Sequence, residues 1–256
     1  MVDLLEYAAF TADPAGGNPA GVVLSADGLS DAEMLAIAAD VGYSETAFFS
    51  RRGPREFDVR YFSPLIEVPF CGHATIAAAI AFAERHGTGV LVLHTRAGTV
   101  EVLTTERDAT FEATLTTVEP QTVALSDPDL DPLLQTLGWT RDGLDPDLPV
   151  RVAYAGAWHP IIAVQSRAQL ASLSYDFDAL GALMTDRGWV TIDLVWREST
   201  AVFHARNPFP PGGVVEDPAT GAAAGAFGGY LRKLRLVSTP STITIHQGED
   251  LGRPTF

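Results

Sequence analysis

The stretch Glu67-Val-Pro-Phe-Cys-Gly-His-Ala-Thr-Ile-Ala-Ala-Ala-Ile-Ala-Phe-Ala-Glu-Arg-His86 decides the fold. A strand-like run, Phe57 to Phe62, leads into it through a Pro-bounded turn. A Gly-His-Ala-Thr step follows, and then an apolar run from Ile76 to Ala83 that carries no charge. An Ala-rich, charge-free run of this kind predicts a helix buried on all sides, spanning residues 72 to 84. Gly72, His73 and Thr75 fall at its start. The first turn of a helix presents unsatisfied N–H groups and the positive end of the dipole, so residues 71 to 75 form a ready anion site. Cys71 and His73 are unusual residues to find at the start of a buried helix.

The pattern recurs. Glu216-Asp-Pro-Ala-Thr-Gly-Ala-Ala-Ala-Gly-Ala-Phe-Gly-Gly-Tyr-Leu231 again runs Glu-x-Pro, a short turn, Gly and a helix of small apolar residues, predicted over 221 to 232. With Glu67 set on Glu216, Gly72 falls on Gly221. Upstream, Arg60-Tyr-Phe-Ser-Pro64 is echoed by Arg206-Asn-Pro-Phe-Pro210. Further upstream, Ala15-Gly-Gly-Asn-Pro-Ala-Gly-Val-Val23 is loosely echoed by Ala155-Gly-Ala-Trp-His-Pro-Ile-Ile-Ala163. Three echoes in one order argue for an internal duplication, with two helix starts directed at one small anion.

The bulk numbers narrow the function classes. With 256 residues and 46% hydrophobic content, the chain can build one large or two medium cores. A net charge of −15 speaks against binding a nucleic-acid backbone. A single cysteine rules out a disulfide framework and points to a reducing compartment, so a cytoplasmic setting is expected. The N-terminal residues show no secretory pattern, and no apolar stretch is long enough to span a membrane.

Along the chain, strands are expected at Leu4 to Phe10, Ala20 to Leu24, Glu45 to Ser50, Glu56 to Phe62, Gly89 to Thr95, Thr99 to Thr104 and Thr110 to Leu115. Ser30 and Glu33 make a capping box for a helix over Asp31 to Val41. Periodicity is lost near Glu119-Pro120, which divides the chain into 1–118 and 119–256. The second half is expected to open with a helix, Pro128 to Leu137. Strands at Val150 to Tyr154, Ile161 to Val164, Val190 to Trp196, Thr200 to Ala205 and Thr242 to His246 follow, with helices at Ser166 to Leu173 and Phe177 to Arg187. The fold class is α+β, with sheets wrapped around central helices.

Several residues carry chemistry, and each has a plainer role beside it. Glu45, in Tyr43-Ser-Glu-Thr-Ala-Phe-Phe49, places a carboxylate at the mouth of an apolar strand, or is simply a solvent-facing or cap-bonded Glu. His73 is a catalyst or a donor at a helix start. Cys71 is a reactive thiol or a small buried apolar residue. Asp217 can cap the second helix, a role that does not exclude chemistry. Thr220, Gly221 and Ala222 supply backbone donors in either case, and Asn18 can bond its own turn. The six histidines show no spacing suited to a metal, and neither a phosphate loop nor a nucleophile elbow is present.

Taken together, Gly17-Asn-Pro-Ala-Gly-Val-Val23, Ser44-Glu-Thr-Ala-Phe48, Arg60-Tyr-Phe-Ser-Pro64, Glu67-Val-Pro-Phe-Cys-Gly-His-Ala-Thr75, Glu216-Asp-Pro-Ala-Thr-Gly221 and His246-Gln-Gly-Glu249 with Gly252-Arg-Pro254 resemble the phenazine-biosynthesis PhzF-like family, of the diaminopimelate epimerase-like fold. The resemblance runs from the first strand to the end of the chain. It implies two domains related by a pseudo-twofold axis, each a curved, barrel-like sheet around a buried helix, with the active site between them. It also implies an isomerase working by proton transfer on a small carboxylate without metal or organic cofactor, and a homodimer.

In the family's best-known chemistry a dihydro-hydroxyanthranilate is isomerised. The Glu of Ser-Glu-Thr moves the proton, with the His of Gly-His-Ala-Thr and the Asp of Glu-Asp-Pro beside it. The matching positions are Glu45, His73 and Asp217, expected to converge on one cleft. Asn18, Cys71, Gly72, Ala74, Thr220, Gly221 and Ala222 are the expected substrate-binding positions. A carboxyl group in an apolar cleft has its pKa raised toward neutrality, which suits it to act as both acid and base.

Two departures bear on the chemistry. Epimerases and proline racemases of this fold use two thiols; Cys71 matches the first, but Gly-Ala-Ala-Ala-Gly after Thr220 lacks the second. The chain also stops soon after Gly252-Arg-Pro254, where members of the resembled family continue into further strands, so its final sheet is expected to be incomplete. Two further readings stay open at this point: a one-thiol epimerase or dehydratase using Cys71, and a non-catalytic binder of small anions.

Overall fold

The computed structural model describes residues 2–255. Its chain divides into two units, Met1–Val118 and Glu119–Phe256. In the first unit the elements run β1 (Leu5–Ala9), β2 (Asn18–Val23), α1 (Asp31–Val41), β3 (Thr46–Gly53), β4 (Glu56–Phe62), β5 (Glu67–Val68), α2 (Gly72–His86), β6 (Gly89–Thr95), β7 (Gly98–Arg107) and β8 (Thr110–Thr116). The sheet order is β1-β2-β3-β4-β6-β7-β8, with β5 paired to β4. β2 with β3 and β4 with β6 are parallel; the other pairs are antiparallel.

Both edge strands, β1 and β8, touch α2, as do β2, β3 and β7, so this sheet curls around the helix. The composition of α2 permits that. Its Ala77, Ala78, Ala79 and Ala81 are fully buried and let the backbone approach the strands on every side, while Phe82 packs edge-on against Phe57. The helix becomes polar at Glu84-Arg85-His86, where it emerges; Arg85 and His86 lie in its last turn, the favourable end of the dipole for cations. Helix α1 has the expected capping box between Ser30 and Glu33.

The second unit runs β9 (Gln121–Ala124), α3 (Asp127–Thr136), β10 (Arg151–Tyr154), β11 (Trp158–Val164), α4 (Arg167–Ala171), α5 (Phe177–Arg187), β12 (Asp193–Arg197), β13 (Val202–Phe209), β14 (Val214–Asp217), α6 (Gly221–Lys233) and β15 (Thr244–Gln247). The order is β14-β13-β12-β11-β10-β9, with β15 paired to β13. One face of this sheet packs Ala153, Ile161, Ala163, Val195, Phe203 and Ala205 on Ala226, Phe227 and Tyr230 of α6. The other carries Ile162, Val164 and Leu194 against Leu130, Leu133, Leu180 and Met184 of α3 and α5.

The duplication is visible in the details. β11 and β12 pair in parallel as β2 and β3 do. The echoed arginines and glutamates form the same forked pair twice: Arg60 Nε and Nη2 donate to Glu67 at 2.9 and 2.6 Å, and Arg206 Nε and Nη2 donate to Glu216 at 3.0 and 2.6 Å. Each pair holds the hairpin that delivers the chain to a central helix. The two helices span Gly72–His86 and Gly221–Lys233, close to the expected ranges.

Three expectations need correction. The second unit opens not with a helix but with β9, a four-residue strand paired with β10. The segments before the two central helices are not turns alone; they contain the short strands β5 and β14, anchored by the Arg–Glu pairs. The strand expected from Val190 begins only at Asp193.

Candidate active site

The parallel pairing of β2 and β3 puts the starts of both strands at one end of the first sheet. Asn18 is the first residue of β2, and Ser44 and Glu45 immediately precede β3. The hairpin of β4 and β5 returns the chain so that α2 begins close by. Asn18, Ser44, Glu45, Cys71 and His73 are all buried. The turn into β2 needs glycine: Gly17 has φ +55°, and a Cβ there would lie 2.2 Å from the Ala9 carbonyl oxygen.

His73 is the centre of this cluster. The Ser44 hydroxyl donates to Asn18 Oδ1 at 3.4 Å, so its oxygen is an acceptor toward His73 Nε2 at 3.3 Å. That places the ring proton on Nε2, with Glu45 Oε2 3.5 Å away. The ring's Nδ1 lies 3.3 Å from the Cys71 thiol. Behind the cluster, Thr75 Oγ1 meets the Tyr61 hydroxyl at 2.6 Å and bonds the Cys71 carbonyl at 2.6 Å. Burial pushes the Tyr61 phenol well up, so this wall is neutral. Cys71 holds the N-cap position of α2, but its side chain makes no capping hydrogen bond. Gly72 and Ala74, expected to bind substrate, are buried in the first turn.

In the second unit, Asp217 closes β14 opposite Asn207 of β13. It is not the N-cap of α6, as the sequence suggested; Thr220 holds that position, without a side-chain capping bond. Asp217 Oδ2 instead accepts from the Thr220 hydroxyl at 2.7 Å. The reason is the extra turn of chain, Pro218-Ala219, between strand and helix. Gly221 and Ala222 form the first turn beyond it.

Gln247 secures this turn, a role that sequence reasoning missed. Its Oε1 accepts from Thr220 N at 3.0 Å, and its Nε2 donates to the Asp217 carbonyl at 2.8 Å. Its motif, His246-Gln-Gly-Glu249, was visible, but no spacing rule connects it to a helix start 26 residues earlier; only the β13–β15 pairing does. Gly248 is required next to it, since at φ +81° a Cβ would sit 2.1 Å from the Arg253 carbonyl oxygen.

The structure thus brings Glu45, His73, Cys71 and Asn18 together in the first unit and places Asp217, Thr220, Gly221 and Ala222 at the start of α6 in the second. Glu45, Cys71 and His73 also offer one oxygen, one sulfur and one nitrogen within 4.8 Å of one another, a set able to hold a single divalent ion. No sequence spacing announces that set, because Glu45 and the Cys-x-His pair come from different elements. Among the described residues, no helix is long and apolar enough to cross a membrane.

A profile of the family described as "Phenazine biosynthesis-like protein" matches residues 7–256. The chain belongs to this PhzF-like family. Among its relatives is an uncharacterized isomerase, YfhB, of Bacillus subtilis, 31% identical over 98% of this chain and 87% of its own length. The trans-2,3-dihydro-3-hydroxyanthranilate isomerase of Pseudomonas chlororaphis is 32% identical over 97% of this chain and 86% of its own. Relatives are named isomerases, and the chain is a member of that isomerase family.

Among solved structures, the PhzF-family protein of Bacillus anthracis aligns over 99% of this chain and 88% of its own, with a TM-score of 0.80 and 26% identity. A probable proline racemase from Agrobacterium radiobacter, at 14% identity and a TM-score of 0.67 over 100% of this chain and 88% of its own, shares the fold. The α+β, diaminopimelate epimerase-like architecture is therefore common to PhzF-like proteins and to racemases.

Proposed function

We propose that this PhzF-like protein is a cofactor-independent isomerase that moves a proton on a small carboxylate substrate, with Glu45 as the acid and base. The observation that carries the proposal is the buried Glu45 carboxylate, 3.5 Å from the Nε2 of an equally buried His73 at the start of α2. In this reading the Glu45 carboxylate takes a proton from a substrate carbon. The electron pair moves through the conjugated system, and the carboxyl group, after exchanging its proton with solvent, returns a proton to another carbon, so Glu45 ends as it began. His73 orients the carboxyl group through Nε2. The first turn of α2, with Asn18, Cys71, Gly72 and Ala74, receives a negatively charged substrate group. Asp217, Thr220, Gly221 and Ala222 enter this reading through the family resemblance of the segment that opens α6.

The Pseudomonas chlororaphis relative supports trans-2,3-dihydro-3-hydroxyanthranilate as the substrate to try first. With it, Glu45→Gln should lower turnover at least about 10²-fold while the circular dichroism spectrum is unchanged. Retained turnover in a folded Glu45→Gln protein would end the proposal. A second reading is favoured by the Cys71 Sγ to His73 Nδ1 distance of 3.3 Å, which would let the imidazole take the thiol proton and generate a thiolate base. Cys71→Ala separates the two, since it removes the thiol without adding bulk beside His73 and leaves the Glu45 proton transfer operating.

A further inference from the structure

The second unit holds a buried polar layer that the proposed reaction does not use. β11 and β12 direct Ile161, Ala163 and Val195 toward α6, and β13 directs Phe203 and Ala205 the same way. Two residues farther toward the end of the sheet where α6 begins, the same faces carry His159, Asp193 and Asn207, joined by Thr191 just before β12. Thr191, like Asp193, is fixed between the strands: Val190 N donates to the Trp158 carbonyl at 3.0 Å, and Ile192 N to the Pro208 carbonyl at 3.3 Å. Asn207 lies directly opposite Asp217 in the β13–β14 ladder, which puts the layer beside the start of α6.

The hydrogen bonds of this layer have one direction. Asn207 Nδ2 donates to Asp193 Oδ1 at 3.1 Å. Asn207 Oδ1 then accepts the single Thr191 hydroxyl hydrogen at 2.8 Å. Thr191 has no hydrogen left for His159, so at 2.8 Å it is His159 Nδ1–H that donates to Thr191 Oγ1. Burial pushes the His159 imidazole down to about 4, so it is neutral near pH 7. Its Nε2 is therefore a bare lone pair. His159 is 0% exposed, and Nε2 has no hydrogen-bond partner among the described residues. An unmet buried acceptor of this kind is costly.

His159 also holds a telling position in the duplication. It precedes Pro160 as the second residue of β11, much as Asn18 precedes Pro19 as the first residue of β2 in the cluster around His73. Gly-Asn-Pro in the first unit is answered by Trp-His-Pro in the second.

We propose that His159 Nε2 is a substrate-binding acceptor for an N–H or O–H group carried by the small carboxylate, and that Thr191, Asn207 and Asp193 are positioning residues that fix its tautomer. The proposal rests on the reading of the α6 start as part of a site for small carboxylates. It assigns the substrate class more narrowly: amino- or hydroxy-substituted carboxylates rather than carboxylates alone.

Equilibrium binding of benzoate and anthranilate tests this, because the two differ only by an amino donor. The full chain is labelled with ¹⁵N-histidine, and the signal of His159 among the six histidines is assigned by its loss in His159→Asn. The Asn amide nitrogen can still donate to Thr191, but it offers nothing at the Nε2 position. Anthranilate should shift the Nε2 resonance of His159 and bind at least about fivefold tighter than benzoate, and His159→Asn should bring that ratio to about one. Thr191→Val should mix the two tautomers, seen as converging ring-nitrogen shifts, and lower the anthranilate preference; Thr191→Ser should restore both.

An unchanged preference in His159→Asn, an Nε2 resonance unmoved at saturating anthranilate, or failure of both probes to bind would overturn the proposal. No turnover is involved, so these outcomes are independent of whether Glu45 moves the proton.

Discussion

Two buried carboxylates, Glu45 and Asp193, stand at the starts of β3 and β12, the inner strands of the two parallel pairs. Their surroundings differ. Glu45 faces an imidazole, whereas Asp193 is enclosed and accepts from Asn207; burial pushes its carboxyl up to about 7, against that hydrogen bond. The consequence for stability has a definite sign. Between about pH 4 and 7 the unfolded chain releases the Asp193 proton while the folded chain keeps it, so the Asp193 contribution falls as pH rises through this window. Asp193→Asn removes the titration. Its stability relative to the parent chain should therefore improve from pH 5 to about pH 7 and level off above that, measured by urea unfolding. A difference independent of pH would contradict a protonated, buried Asp193. At Glu45 and His73 the motifs revealed the residues, because Ser-Glu-Thr and Gly-His-Ala-Thr are distinctive in sequence. Asp193 was hidden: its neighbours Ile192 and Leu194 make a strand-like run, and nothing in that spacing tells a buried Asp from an exposed one.

At the scale of elements, α2 and α6 were legible because small, charge-free runs admit few alternatives to burial. β5 and β14 were not, since strands of two and four residues have no periodicity to detect. They exist because forked ion pairs and short ladders hold them. The repeated Arg and Glu were seen as echoes, but their pairing needed the β4–β5 and β13–β14 hairpins. The two pairs are unequal: the Arg206 side chain is 11% exposed and that of Arg60 27%, and Arg206 also bonds the Leu170 and Ala171 carbonyls. Arg206→Met leaves Glu216 buried and unpaired and should cost about 3–5 kcal/mol. Arg60→Met should cost clearly less, because Glu67 keeps Arg96 as a partner at 2.7 Å. Equal losses in parallel unfolding experiments would show that the two hairpins are not held in the way the geometry implies.

Across the whole molecule, the order of motifs made the family legible, while the substrate was not, because the motifs describe shared machinery and not the walls that select a ligand. The Glu45, Cys71 and His73 group raises a separate question, since its three donors suit a metal ion as well as a proton relay. Dialysis against a chelator should leave turnover unchanged if these side chains act by proton transfer; loss of activity restored by added zinc would assign them to a metal instead. The central claim is that Glu45 carries the proton. Its most direct test is solvent deuterium incorporation into substrate in D₂O, comparing Glu45→Gln with Cys71→Ala. The account predicts exchange that persists in Cys71→Ala and disappears in Glu45→Gln. Full exchange in Glu45→Gln with none in Cys71→Ala would contradict it and give the catalytic role to the thiol.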